Sequence, residues 1–185
     1  MASATSTSTS STSKKAQQEQ IQQAVFEAAT DGDRPRLLAL LRGAAAAASS
    51  VDLNSKHNWF GQTALHAAVI HHHAGCASDL AKAGANVDAT DLQYGYTPLY
   101  RAAQSGCQGC VSLLLKAGAK LGAVASDGNT PLFLAQRSGH SGVVAMLQGE
   151  SRWRRRRALA LIREQREAGS DWGKARKEWG HSSAM

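Results

Sequence analysis

Gly61-Gln62-Thr63-Ala64-Leu65-His66, Gly95-Tyr96-Thr97-Pro98-Leu99-Tyr100 and Gly128-Asn129-Thr130-Pro131-Leu132-Phe133 are three copies of one short pattern. The threonines stand 34 and then 33 residues apart. Downstream landmarks keep step: Ala68, Ala102 and Ala135 lie five residues after each threonine, and Leu80, Leu114 and Leu147 seventeen after. A fixed period of this length is the signature of stacked supersecondary units.

Each residue type has a local task. A threonine hydroxyl can accept from an amide that the first helical turn leaves unpaired. Proline at the next position loses no hydrogen bond, because that amide has no helical partner. Leucine and alanine then make an apolar face slim enough for close helix contact. Gly106 and Gly139 end the first helix, and a second is expected from near Val111 and Val143. Gly84-Ala85 and Gly118-Ala119 supply left-handed stops for the second helices.

These motifs resemble those of the ankyrin repeat, with its Thr-Pro-Leu-His start, Ala-Ala pair, Gly-His turn and Leu-Leu-x-x-Gly-Ala close. The third unit matches best, from Tyr96 to Ala119; the second has Ala64 for proline and His72 for the turn glycine. The fourth has its start and Gly139-His140, then departs at Gln148-Gly149-Glu150. A weaker first unit is read in Phe26–Asp33 and Leu37–Leu41; atypical end units are ordinary in such stacks. The fold implied is an all-α ankyrin-repeat solenoid, with helix-turn-helix repeats, β-hairpin loops and about four units, plus a C-terminal basic helix.

The organisation expected is a disordered Ser/Thr-rich tail over 1–19, a repeat domain over 20–150 (units 20–57, 58–90, 91–124 and 125–150), and a basic helix and tail over 151–185. Charge follows this division. Residues 1–150 hold 11 Lys+Arg against 10 Asp+Glu, whereas 151–185 hold 10 against 4, so nearly all of the net +7 sits in the C-terminal part. Aromatics are scarce at 5%, and no apolar run is long enough to span a bilayer. Three cysteines, Cys76, Cys107 and Cys110, without an apolar leader point to a reducing intracellular compartment, cytoplasmic or nuclear.

The resemblance implies a binding surface made by the hairpin tips and the inner faces of the first helices. Carried over by position, it selects Trp59, Phe60 and Gln62, then Gln93, Tyr94 and Tyr96, then Ser126, Asp127 and Asn129. Just before each helix-one turn it selects Ile70 and His71, Gln104 and Ser105, Arg137 and Ser138. Four of the ten aromatics, Trp59, Phe60, Tyr94 and Tyr96, fall on two adjacent tips. Large aromatics concentrate in binding hot spots; the competing expectation is that they pack on each other or on the Asp52–Asn58 connection.

Chemistry finds no foothold. His71-His72-His73 cannot converge on one ion, because consecutive helical side chains diverge by about 100°; a solvated turn is expected. His73-x-x-Cys76 and Cys107-x-x-Cys110 have zinc-ligand spacing, but equivalent helices of neighbouring repeats lie about 8–10 Å apart, too far to gather four ligands. Cys76 and Cys110 are expected as small core residues, and His66 as a residue serving the repeat backbone. No phosphate loop, nucleophile elbow or metalloprotease motif occurs. We therefore expect no catalytic residue, no metal, no cofactor, and a monomeric protein-binding adaptor.

Arg152, Trp153, Arg154, Arg155, Arg156 and Arg157 open a stretch free of proline and glycine until Gly169, read as a helix of about 17 residues. It is expected to cap the stack through Leu159, Leu161 or Ile162. Alternatively it makes a nuclear-import (importin) or weak nucleic-acid contact, or meets calmodulin or an anionic membrane. Trp172 and Trp179 are left without a role.

Overall fold

A computed structural model describes the backbone of residues 8–46 and 51–179 and the side chains of 15–43 and 51–162. Eight helices appear among them: α1 (Ser8–Asp31), α2 (Arg34–Ala46), α3 (Ala64–Ile70), α4 (Ala74–Lys82), α5 (Pro98–Ser105), α6 (Gln108–Lys116), α7 (Pro131–Arg137) and α8 (Ser141–Trp179). The chain divides into two compact units, 1–146 and 147–185, and the border falls within α8.

The first unit is a two-layer stack. The first helices pack in the row α1, α3, α5, α7, and the second helices α2, α4, α6 form the other row. Between the rows lies a core of small residues and leucines: Ala28, Ala29, Leu37, Ala68, Leu80, Ala102, Ala103, Leu114, Leu134 and Ala135 are all buried. Each buried leucine contributes about 1.5–3 kcal/mol, while the alanines set how closely the helices approach. The threonine reading holds at atomic detail in the third and fourth units, whereas the Thr63 hydroxyl bonds to the His66 ring. Thr97 Oγ1 accepts from the Tyr100 amide at 3.2 Å, and Thr130 Oγ1 from the Phe133 amide at 3.3 Å.

Specific bonds join consecutive repeats. Arg34 Nε donates to buried Asp79 at 2.6 Å, linking the start of α2 to α4. This bond to Arg34 holds the Asp79 carboxyl below its ordinary range. His73, the N-cap of α4, bonds through Nε2 to the Thr30 carbonyl at 3.1 Å. His140 does the same to the Gln104 carbonyl, also at 3.1 Å.

Several expectations are corrected. Of the stretch 1–19 expected as a disordered tail, residues 1–7 lie outside the described residues and helix is present from Ser8; lysine, alanine and glutamine from Lys14 onward are good helix formers. The second helices start at Gln108 and Ser141, earlier than Val111 and Val143, because Cys107 and His140 end the preceding turn. The helix of about 17 residues expected from Arg152 is part of a longer helix of 39 residues, Ser141–Trp179. Gly149 does not break it, since an interior glycine costs only about 1 kcal/mol. His73 is no part of a solvated turn, although His71 and His72 are exposed.

The Cys107 and Cys110 sulfurs are brought side by side across the first turn of α6, a proximity the sequence reading did not anticipate. Cys76 is free, buried, and its thiol is pushed up by desolvation. Among the described residues no helix is long and apolar enough to cross a membrane.

Candidate functional site

The hairpins before α3, α5 and α7 form a row of fingers. The first closes on an antiparallel bridge between His57 and Gln62. Asn58 stands at φ 57° in that turn, and Gly61 at φ 63°; a Cβ on Gly61 would collide with the Leu92 side chain of the next finger. Fingers bond side by side: the Leu92 amide donates to the Phe60 carbonyl, and the Ser126 amide to the Tyr94 carbonyl, each at 2.9 Å. Side chains on neighbouring tips therefore belong to one continuous edge.

That edge carries the exposed apolar groups. Trp59 is fully exposed at 100%, Leu92 at 69%, Phe60 at 46% and Tyr94 at 42%. Val124 and Phe133 continue the exposure at the fourth repeat. Leu92, Val124 and Phe133 were missed from sequence. The available signal was, for Leu92, an apolar residue inside an otherwise polar turn and, for Phe133, an aromatic where the motif has histidine; Val124, between Ala123 and Ala125, carried none.

The second finger is built around Asp91, which is buried. Its carboxylate accepts from the Tyr94 amide at 2.9 Å, the Tyr96 amide at 3.0 Å and Arg101 Nη2 at 3.1 Å. Arg101 lies 4.5 Å over the Tyr96 ring. Tyr94 stacks on Tyr96 with centroids 5.0 Å apart, and Tyr96 on Tyr100 at 4.2 Å. The buried Tyr100 hydroxyl donates to Asp127 Oδ2 on the third finger at 2.5 Å. Burial and this bond push the phenol well above its ordinary range, and the same bond holds the Asp127 carboxyl below its own. The second finger is thus held from within by its own hydrogen bonds and ring stacking.

His66 ties the second repeat to the third. Its Nδ1 accepts from the Thr63 amide at 3.3 Å and the Thr63 hydroxyl at 2.9 Å, which places the proton on Nε2, donating to the Tyr96 carbonyl at 2.9 Å. Desolvation lowers the His66 pKa from 6.5.

The residues selected from sequence divide accordingly. Trp59, Phe60, Tyr94, Asp127, His71, Gln104 and Arg137 are exposed on the fingers and at the ends of the first helices; Asn129 is half-buried. Gln62 is buried, with its side-chain oxygen accepting from Asn58 at 2.9 Å, so it holds the hairpin and does not face a partner. Tyr96 is half-buried against the cluster of Tyr100, Ala125 and Leu134. For Tyr94 and Tyr96, stacked on each other, the packing alternative describes what is observed, whereas Trp59 stands in solvent. Among the described residues no group of three or more His, Cys, Asp and Glu could hold a metal.

Helix pairs in two layers behind a row of bonded fingers define a solenoid of stacked repeats. The family model for ankyrin repeats (3 copies) matches residues 25–125, more than half of the chain, and the chain belongs to the ankyrin-repeat family. Ankyrin repeats are generally protein–protein interaction modules. No curated protein matches the chain.

Proposed function

We propose that this protein is a non-enzymatic intracellular adaptor that binds a protein segment across its fingers. The observation carrying the reading is Trp59 standing fully exposed beside Phe60, Leu92 and Tyr94 on two hydrogen-bonded fingers. Apolar side chains of this size are left in water on a rigid edge at a cost, and desolvating them against a partner removes it. His71, Gln104 and Arg137, exposed at the ends of α3, α5 and α7, offer the polar flank that orients a bound segment.

Affinity capture with the wild-type chain and a Trp59/Phe60/Tyr94→Ala variant tests this. Tyr96 is left in place because it supports the core. The triple variant keeps the wild-type circular dichroism and loses the protein that the wild type retains. Retention of every partner by a folded variant would refute the reading.

A further inference from the structure

We infer that the arginine-rich part of α8, Arg152 to Ile162, is a binding element for duplex DNA, separate from the fingers. Arg152, Arg155, Arg156 and Arg157 are exposed, and no ion pair to any of them occurs among the described residues. Arg154 pairs with Glu150 at 2.8 Å, and Arg157 lies 5.3 Å over the Trp153 ring. Four guanidiniums therefore stand in solvent within two turns of one helix.

Their distribution around the axis selects the partner. A helix has about 3.6 residues per turn, so the consecutive Arg154, Arg155, Arg156 and Arg157 occupy its whole circumference. The apolar groups are just as dispersed. Trp153 and Leu161 fall on one side, Leu159 and Ile162 on the other, and all four are exposed. An anionic bilayer or an apolar protein groove requires one continuous apolar stripe with the charges opposite it. Either surface would have to bury arginines along with the leucines.

A groove walled by phosphates on both sides is the environment that takes guanidiniums radiating in all directions. The major groove of B-form DNA is about 12 Å wide and admits a helix, whereas the deep groove of A-form RNA is too narrow for side chains to read. Charge complementarity agrees, since residues 151–185 carry a net +6 and the rest of the chain is close to neutral. No base-specific contact is implied, because phosphate contacts position without specifying.

The test is fluorescence anisotropy of the full-length chain with a labelled duplex DNA of roughly 20 base pairs. Separate arms use duplex RNA of the same sequence and vesicles of phosphatidylserine and phosphatidylcholine. Neutralising about four phosphates predicts a roughly 100-fold loss of DNA affinity between about 50 and about 200 mM salt. Arg152/Arg155/Arg156/Arg157→Ala abolishes the binding, Arg152/Arg155/Arg156/Arg157→Lys retains most of it, and Trp59/Phe60/Tyr94→Ala leaves it unchanged. The inference is overturned by DNA affinity that the alanine variant keeps, by equal or tighter binding to RNA or vesicles, or by an affinity indifferent to salt.

Discussion

Position 72 shows how one residue in a repeat answers to another in the next. Gly32 and Gly106 occupy the turn between paired helices at positive φ, and a Cβ on either would run into the ring of His73 or His140. Those histidines are the ones that reach back to the Thr30 and Gln104 carbonyls. The corresponding residue of the second repeat is His72, at φ 63°, and the residue that follows it one repeat later is Cys107, too short to reach back. Without an overlying ring, a side chain fits there, at the cost of a left-handed backbone. His72→Gly is therefore expected to stabilise the stack by about 1 kcal/mol, and Gly106→Ala to destabilise it by about 1–2 kcal/mol or more, read as opposite shifts in urea midpoint. Equal effects of the two would contradict the pairing. His66 supplies a pH dependence. Its pKa is depressed in the fold by burial, so the unfolded chain binds the proton more readily. Stability is complete above about pH 6.5 and declines as pH falls from there toward the folded value. His57 is depressed by burial too and adds to the same trend. Urea midpoints at about pH 7.5 and about pH 5.5 should separate more for the wild type than for His66→Gln; identical separations would remove His66 from the account.

At the scale of the element, the second finger depends on a single carboxylate. Asp91→Ala leaves two amides without an acceptor and Arg101 without its ion pair in a half-buried place. Loss of one partner of such a pair costs about 3 kcal/mol, so chemical denaturation should show a large fall with the helices otherwise retained. A change below about 0.5 kcal/mol would mean the finger is held by other contacts. Asp91 and Arg101 were not marked from sequence, whereas the threonine caps were. A cap acts within one turn, and its residue type announces the task. The Asp91 cluster is assembled by ten residues of chain folding back on themselves, and nothing local marks an aspartate as a hub. The same distinction covers α8: Gly169 reads as the end of the basic helix in a list of residues, but the helix runs on to Trp179.

For the whole molecule, the repeat period made the stack legible before any coordinate, because three units in register repeat the same apolar positions. The fingers were legible as places but not as surfaces. Trp59 and Tyr96 looked equivalent in sequence, and the cluster of Tyr100, Ala125 and Leu134 draws in only the second. The central claim, that the exposed finger edge is where a protein partner binds, turns on one residue more than any other. The direct measurement is the affinity of a captured partner for the wild type and for Trp59→Ala by titration calorimetry, with circular dichroism confirming both folds. A loss of about 2 kcal/mol, some thirtyfold, is the result expected of a hot-spot tryptophan. An unchanged affinity with the fold intact would place the partner elsewhere on the stack and contradict the account.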